Sequence, residues 1–258
     1  MLEFDSKTTS YEQFLQWQRQ TVGIELLPTS GLLNKQRAIK RPDEIAALKR
    51  AADVTWRGYQ HILGLLKEGV VEKELAMEFE FFVRRAGASE LSFDSIIAFG
   101  ENSAFPHYRA GEAKLKKNQV VLMDLGAVVD QYRGDLTRVH LFGKVDPEIE
   151  KMLTWTKQAQ KAAIDVVRPG VSIGELNRSA KAVFTEHGVL DLFVHRLGHG
   201  IGLETHEFPS LGADMDLLLE PGMVFTIEPG LYRPGLGGVR WEDMILVTKT
   251  GCEKLFPS

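Results

Sequence analysis

Four carboxylates stand where acids are costly. Asp124 interrupts the apolar run VVLMDLGAVV, Asp135 opens DLTRVHLFG, Glu228 lies inside MVFTIEPG, and Glu242 opens EDMILVTK. His199 sits between glycines in LGHGIG. A carboxylate in an apolar strand is unfavourable unless it is paired or coordinates a metal. Four acids balance two divalent cations in charge and leave a bridging hydroxide as nucleophile. The oxygen-rich, thiolate-free donor set suits manganese, with cobalt or zinc as substitutes. Two metals bridged by water are a known solution for hydrolysing amide or phosphate bonds.

Each residue also has a simpler reading. Singly, Asp124 or Asp135 reads as a strand-end or turn acid, Glu228 as the residue before a Pro-Gly turn, and Glu242 as half of a surface ion pair with Arg240. His199 alone reads as a core histidine donating to a carbonyl. Their joint occurrence at or within apolar strands favours the metal.

The elements that must position them are legible. From Pro42, apolar residues at helical spacing (Ile45, Leu48, Ala52, Tyr59, Ile62, Leu63, Leu66) predict a helix stopping at Gly69. A second helix carries Leu75, Phe79, Phe82, Val83 and Ala86 on one face and ends at Gly87. The unit recurs at an offset of 101 residues, pairing Gly69 with Gly170, Val70 with Val171, Glu74 with Glu175, Leu75 with Leu176 and Gly87 with Gly188. A helix over 148–167 precedes the second copy. Strand signals cover 93–100, 119–129, 135–143, 223–230 and 242–249. A hairpin turning near Val129–Asp130 would set Asp124 roughly opposite Asp135. The layout is α+β, a mostly antiparallel sheet under helices.

Composition excludes several classes. The 258 residues carry 31 Lys+Arg against 35 Asp+Glu, a formal net charge of −4, and 44% are hydrophobic. That describes a globular chain and argues against a nucleic-acid binder, which would show a basic patch. One cysteine, Cys252, cannot form an intramolecular bridge. The opening residues do not read as a signal peptide and no window approaches a membrane span, so a cytoplasmic protein is expected. Residues 1–40 read as a short helix and an extended piece, ahead of a domain over 41–258.

Four segments in order, MDLGAVVDQYRGDLTR, LGHGIGLETHEFP, LEPGMVFTIEPGLY and GGVRWEDMILVT, resemble the metallopeptidases of the creatinase/methionine aminopeptidase group. The resemblance implies their pita-bread fold, with pseudo-twofold symmetry around a curved sheet. It implies Asp124, Asp135, His199, Glu228 and Glu242 as ligands of a dinuclear site, bridged by Asp135 and Glu242, with Glu228 as proton acceptor. His107, in FPHY, matches the histidine that hydrogen-bonds the reacting amide, and His206 the one that meets substrate near the leaving side. His195 is expected in the substrate pocket. Arg240 is grouped with it as a substrate-site residue that steadies a bridging carboxylate. His61, His140 and His187 lack acidic company and are expected to be structural.

GLYRPGLGGVRWEDMILVT and AIKRPDEIAALKRAA are similar to the Xaa-Pro branch, implying a peptide substrate with proline at its second position and a homodimeric assembly. Methionine aminopeptidases usually lack the arginine two places before the last glutamate. Two features depart from the Xaa-Pro pattern. Such enzymes typically carry a whole N-terminal domain, of which residues 1–40 resemble the tail. Prolidases often place an arginine after the His-Glu-x-Pro segment to hold a dipeptide's carboxylate, and Ser210 stands there, which weakens strict dipeptidase specificity. A methionine aminopeptidase, or a fold relative that binds without catalysis, are the alternatives.

Overall fold

The computed structural model describes residues 1–212 and 215–256. Helix α1 (Tyr11–Gln20) starts at Ser10, whose side chain accepts from the Gln13 amide, and a short α2 spans Asn34–Ala38. The two large helix pairs follow, α3 (Pro42–Leu63) with α4 (Glu72–Arg85), and α5 (Pro147–Asp165) with α6 (Ile173–Glu186). The bounds of α4 and α6 differ by the 101 residues of the sequence repeat at both ends. The glycines of the repeat serve as its corners, since Gly69, Gly87, Gly170 and Gly188 all adopt positive φ. Helix α3 stops at Leu63 rather than running to Gly69, because Gly64 caps it. The Gly69 amide instead donates 2.8 Å to the Leu115 carbonyl.

Between the pairs lies sheet. Strands Ile96–Phe99, Gln119–Leu125 and Leu136–Phe142 form one antiparallel set, and Glu207–Ser210, His199–Gly200, Val224–Ile227, Asp243–Val247 and Cys252–Lys254 the other. Hairpin strands Gly230–Arg233 and Gly237–Arg240 complete the second half. Period-2 alternation divides the strand over 119–125 between two cores. Val121, Met123 and Leu125 join Leu48 and Phe79 of the first helix pair, and Val120 and Leu122 join Met152 and Phe184 of the second. A strand buried on both faces reads as a continuous apolar run, as this one does.

Residues 1–40 add a parallel pairing of Leu2–Asp5 with Leu26–Thr29. They are fastened to the larger unit through Arg37 and Lys40, both paired with the buried carboxylate of Glu207. Among the described residues, no helix is long and apolar enough to cross a membrane.

Candidate active site

The five expected ligands fall at strand ends facing one cavity of about 710 Å³, lined also by His107, His195, His206 and Arg240. Asp124 follows Val120 and Leu122 on one face of its strand, one step beyond where the apolar packing ends. The hairpin after it turns at Asp130 and Gln131, whose φ values of 51° and 70° are the left-handed pair that a two-residue turn needs. This is one residue later than the sequence suggests. Asp124 therefore pairs with Thr137 rather than Asp135, and Leu125 with Leu136. A one-residue shift of the turn moves the register by two, so Asp135 remains on the face of Asp124, displaced diagonally.

Asp135, His199 and Glu242 bring one donor atom each to within 4.8 Å of one another. His199 Nε2 lies 3.6 Å from Asp135 Oδ2 and 3.4 Å from Glu228 Oε1. Its Nδ1 is 3.1 Å from the Gly200 carbonyl. A carbonyl only accepts, so Nδ1 carries the proton and Nε2 presents its lone pair to the acids. Burial, reinforced by His206, lowers the His199 pKa to about 4 and keeps the ring neutral. The flanking glycines are required by close approach: a Cβ on Gly198 would run into the Thr226 carbonyl, and one on Gly200 into that of Phe208.

The carboxylates crowd one another. Burial, then the charges of Glu242, Asp124 and Glu228, raise Asp135 well above the ordinary carboxylate range. Burial, then Glu228 and Asp124, does the same for Glu242. Glu228 rises to about 8, chiefly through burial, with Arg240 opposing and Asp124 adding to the rise. Asp124 Oδ1 is buried with no hydrogen-bond partner among the described residues. An unsatisfied acid oxygen beside mutually repelling carboxylates and a neutral imidazole fits a hard divalent cation, which would relieve both costs.

Arg240 is committed to its protein neighbours. Its guanidinium donates to Asp124 Oδ2 at 2.6 Å, the Tyr232 hydroxyl at 2.7 Å, Thr137 Oγ1 at 3.1 Å and the Pro106 carbonyl at 3.3 Å. The carboxylate it grips directly is Asp124, not one of the two expected bridging acids. Glu242 is reached only through Thr137, whose hydroxyl donates to Glu242 Oε2 at 2.6 Å. His195 lines the cavity with both nitrogens engaged. Nδ1 donates to the Arg196 carbonyl at 2.7 Å, leaving Nε2 to accept from the Tyr232 hydroxyl at 2.9 Å. Burial, then Arg240, lowers its pKa to about 4, consistent with that tautomer.

His206 stacks edge-on against His199, ring centroids 4.2 Å apart, and burial lowers its pKa. His107 is exposed and lines the same cavity. His61 and His187 lie on Phe82 and Trp155, away from the cavity, and His140 lies on the strand over 136–142 without lining it.

Thr137 and Thr226 also serve the site, though no motif singles either out in the sequence. Thr226 Oγ1 accepts from the His199 amide at 3.1 Å and donates to Glu228 Oε1 at 3.3 Å. Their signal was period 2: each threonine stands two residues from an acid on the same strand face, Asp135 with Thr137 and Thr226 with Glu228.

A model of metallopeptidase family M24 matches residues 46–249. The chain superposes on an Xaa-Pro dipeptidase from Bacillus anthracis with a TM-score of 0.96 and 39% identity, covering 100% of this chain and 72% of that one. It superposes on an X-Pro aminopeptidase from Thermotoga maritima MSB8 with a TM-score of 0.94 and 30% identity, covering 99% and 73%. An uncharacterized peptidase of Staphylococcus aureus (strain bovine RF122 / ET3-1) is 39% identical over 223 residues, 86% of this chain. This chain spans 64% of that relative's length. The family match takes in both copies of the helix-helix repeat and all five acid and histidine positions, and the chain belongs to metallopeptidase family M24.

Proposed function

We propose that the protein is a metal-dependent exopeptidase that removes the N-terminal residue from peptides with proline at the second position. The observation that carries this reading is the convergence of Asp135, His199 and Glu242 within 4.8 Å, in a cavity also lined by His107 and His206. Likeness to an Xaa-Pro dipeptidase and an X-Pro aminopeptidase supports the choice of bond.

Asp124, Asp135, His199, Glu228 and Glu242 would hold two divalent cations, with manganese the best match to the oxygen-rich set and cobalt or zinc as substitutes. Once bound, such cations polarise the scissile carbonyl and lower the pKa of water. The remaining work belongs to the side chains. Glu228, whose carboxylate lies 3.4 Å from His199 Nε2 within the cluster, is suited to take a proton and pass it to the leaving amine. His107 hydrogen-bonds the reacting amide, and His206 meets the substrate on the leaving side. Arg240 holds Asp124 in place, and His195 braces Tyr232 against Arg240. In the same reading residues 1–40 are a leader docked through Glu207 on the catalytic unit 41–258. The enzyme works in the cytoplasm, and its homodimer rests on resemblance alone.

The test is a substrate panel. Metal-loaded protein is incubated with Ala-Pro, Ala-Pro-Ala and Met-Ala-Ser, and release of the first residue is followed. Cleavage of the Ala-Pro bond is expected. Cleavage of Met-Ala-Ser alone would make it a methionine aminopeptidase, and no cleavage at any metal loading would defeat the reading.

A further inference from the structure

We infer that Glu72 is a positioning residue for His107: its buried carboxylate gathers four donors from the segment that carries this histidine into the cavity. Glu72 is the first residue of α4 and is 0% exposed. Oε1 accepts from the Phe99 amide at 2.8 Å and from Asn102 Nδ2 at 2.9 Å. Oε2 accepts from the Tyr108 hydroxyl at 2.8 Å and the Gly111 amide at 3.1 Å. Asn102 Nδ2 also lies 2.9 Å from the Tyr108 hydroxyl, closing a ring across the base of the loop. His107 stands between these anchors, next to Tyr108.

The duplication supplies an internal control. The counterpart of Glu72 at offset 101 is Ile173, the first residue of α6 and also 0% exposed. The backbone around the two is the same. The Glu72 and Lys73 amides donate to the Ala113 and Gly111 carbonyls, both at 3.1 Å. The Ile173 and Gly174 amides donate to Leu217 and Met215, at 3.0 and 2.9 Å. The helix entry therefore needs no carboxylate, and an apolar side chain fills the site in the second half. The second half also brings histidines, His195, His199 and His206, to the cavity, so the carboxylate serves the 99–111 segment with its four donors and not histidine delivery in general.

Burying a carboxylate is unfavourable unless its lone pairs are satisfied. Four donors and the start of a helix meet that condition. The paired charge that usually accompanies a buried acid is absent: among the described residues no cation forms an ion pair with Glu72. Its partners are backbone amides and neutral side chains of one segment, so removing the carboxylate releases that segment and leaves the metal-facing acids untouched. Loss of an ångström in the placement of a reacting group costs on the order of 10²-fold in rate.

This inference rests on the reading in which His107 touches the reacting amide, and a mutant cycle separates the two. Glu72→Ile, copying Ile173, and Glu72→Gln are made alone and with His107→Ala. Turnover of Ala-Pro-Ala, bound metal by elemental analysis, and melting temperature are measured. Glu72→Ile should lower kcat about 10-fold to 10²-fold with metal content and KM near those of the unaltered protein, and Glu72→Gln should lie between the two. In the His107→Ala background, Glu72→Ile should change kcat less than about 3-fold, because residues acting as a unit are non-additive. If Glu72→Ile does not fold, Asn102→Ala, which removes one donor from outside the cavity lining, enters the same cycle. Multiplicative effects in the double variant, or a lower melting temperature with kcat unchanged, would overturn the inference alone. A fully active His107→Ala enzyme would remove the proposed role of His107 and this inference with it.

Discussion

Arg240 Nη2 lies 2.6 Å from Asp124 Oδ2, while the other oxygen of the same carboxylate is buried and makes no hydrogen bond among the described residues. The arginine holds Asp124 by one oxygen and leaves the second without a hydrogen bond. Lysine cannot reproduce a planar fork shared among Asp124, Thr137, Tyr232 and Pro106. Arg240→Lys should weaken metal binding by about 10-fold to 100-fold, the usual range for partners that orient a ligand. Competition titration against a chelator measures this, and unchanged affinity would show that Asp124 is held some other way.

Glu228→Gln keeps shape and an oxygen for the Thr226 hydroxyl but cannot take a proton. Turnover of an Xaa-Pro peptide should fall by about 10²-fold to 10⁴-fold. Melting temperature and circular dichroism should stay near those of the unaltered protein. A variant that is folded and fully active would remove Glu228 from proton transfer.

The acids were legible because buried charge is rare in an apolar strand, so Asp124 within VVLMDLGAVV stood out without any fold in view. Their shared face was legible too, since period 2 survives a turn misplaced by one residue. The partner of Asp124 was not, because it depends on which two residues take positive φ, and Asp130 and Gln131 offered no glycine to mark them. In the sequence Glu72 is one more acid, at the start of α4. Its burial depends on donors up to 39 residues away, which no local pattern encodes. His195 reads as a substrate-pocket residue and lines the cavity; that Tyr232 and the Arg196 carbonyl take its two nitrogens depends on contacts no local pattern encodes.

Stripping the metal should make stability fall as pH rises. Burial first, then like charge, raises Asp135 and Glu242 well above their ordinary range, and burial brings Glu228 from 4.5 to about 8. Between the unfolded and folded pKa values the folded chain holds more protons than the unfolded one, so unfolding free energy decreases with pH across that window. The chelated protein should be more stable near pH 5 than near pH 8, with a melting temperature lower by several degrees at the alkaline end. Metal occupancy should flatten the profile. Thermal melts of both forms across this range decide the matter, and a chelated protein that gains stability toward pH 8 would contradict the crowding of the acids.

Substrate length should turn on Arg196. It lines the cavity, and its guanidinium donates to Ser210 Oγ at 2.7 Å while forming no ion pair among the described residues. Ser210 is the position where prolidases resembling this sequence often place an arginine. Here a guanidinium reaches the same point from the other side of the histidine segment. A cation with no carboxylate partner among the described residues, in a cavity that also holds the acids, is placed to receive the free carboxylate of a bound dipeptide. Arg196→Ala should raise KM for Ala-Pro about 10-fold with kcat nearly unchanged, since it removes binding common to ground and transition states. The same substitution should leave cleavage of C-terminally amidated Ala-Pro unaffected. An equal rise in KM for both substrates would show that Arg196 supports the wall of the cavity rather than binding the carboxylate, and Arg196 would then give no preference for a dipeptide over a longer peptide.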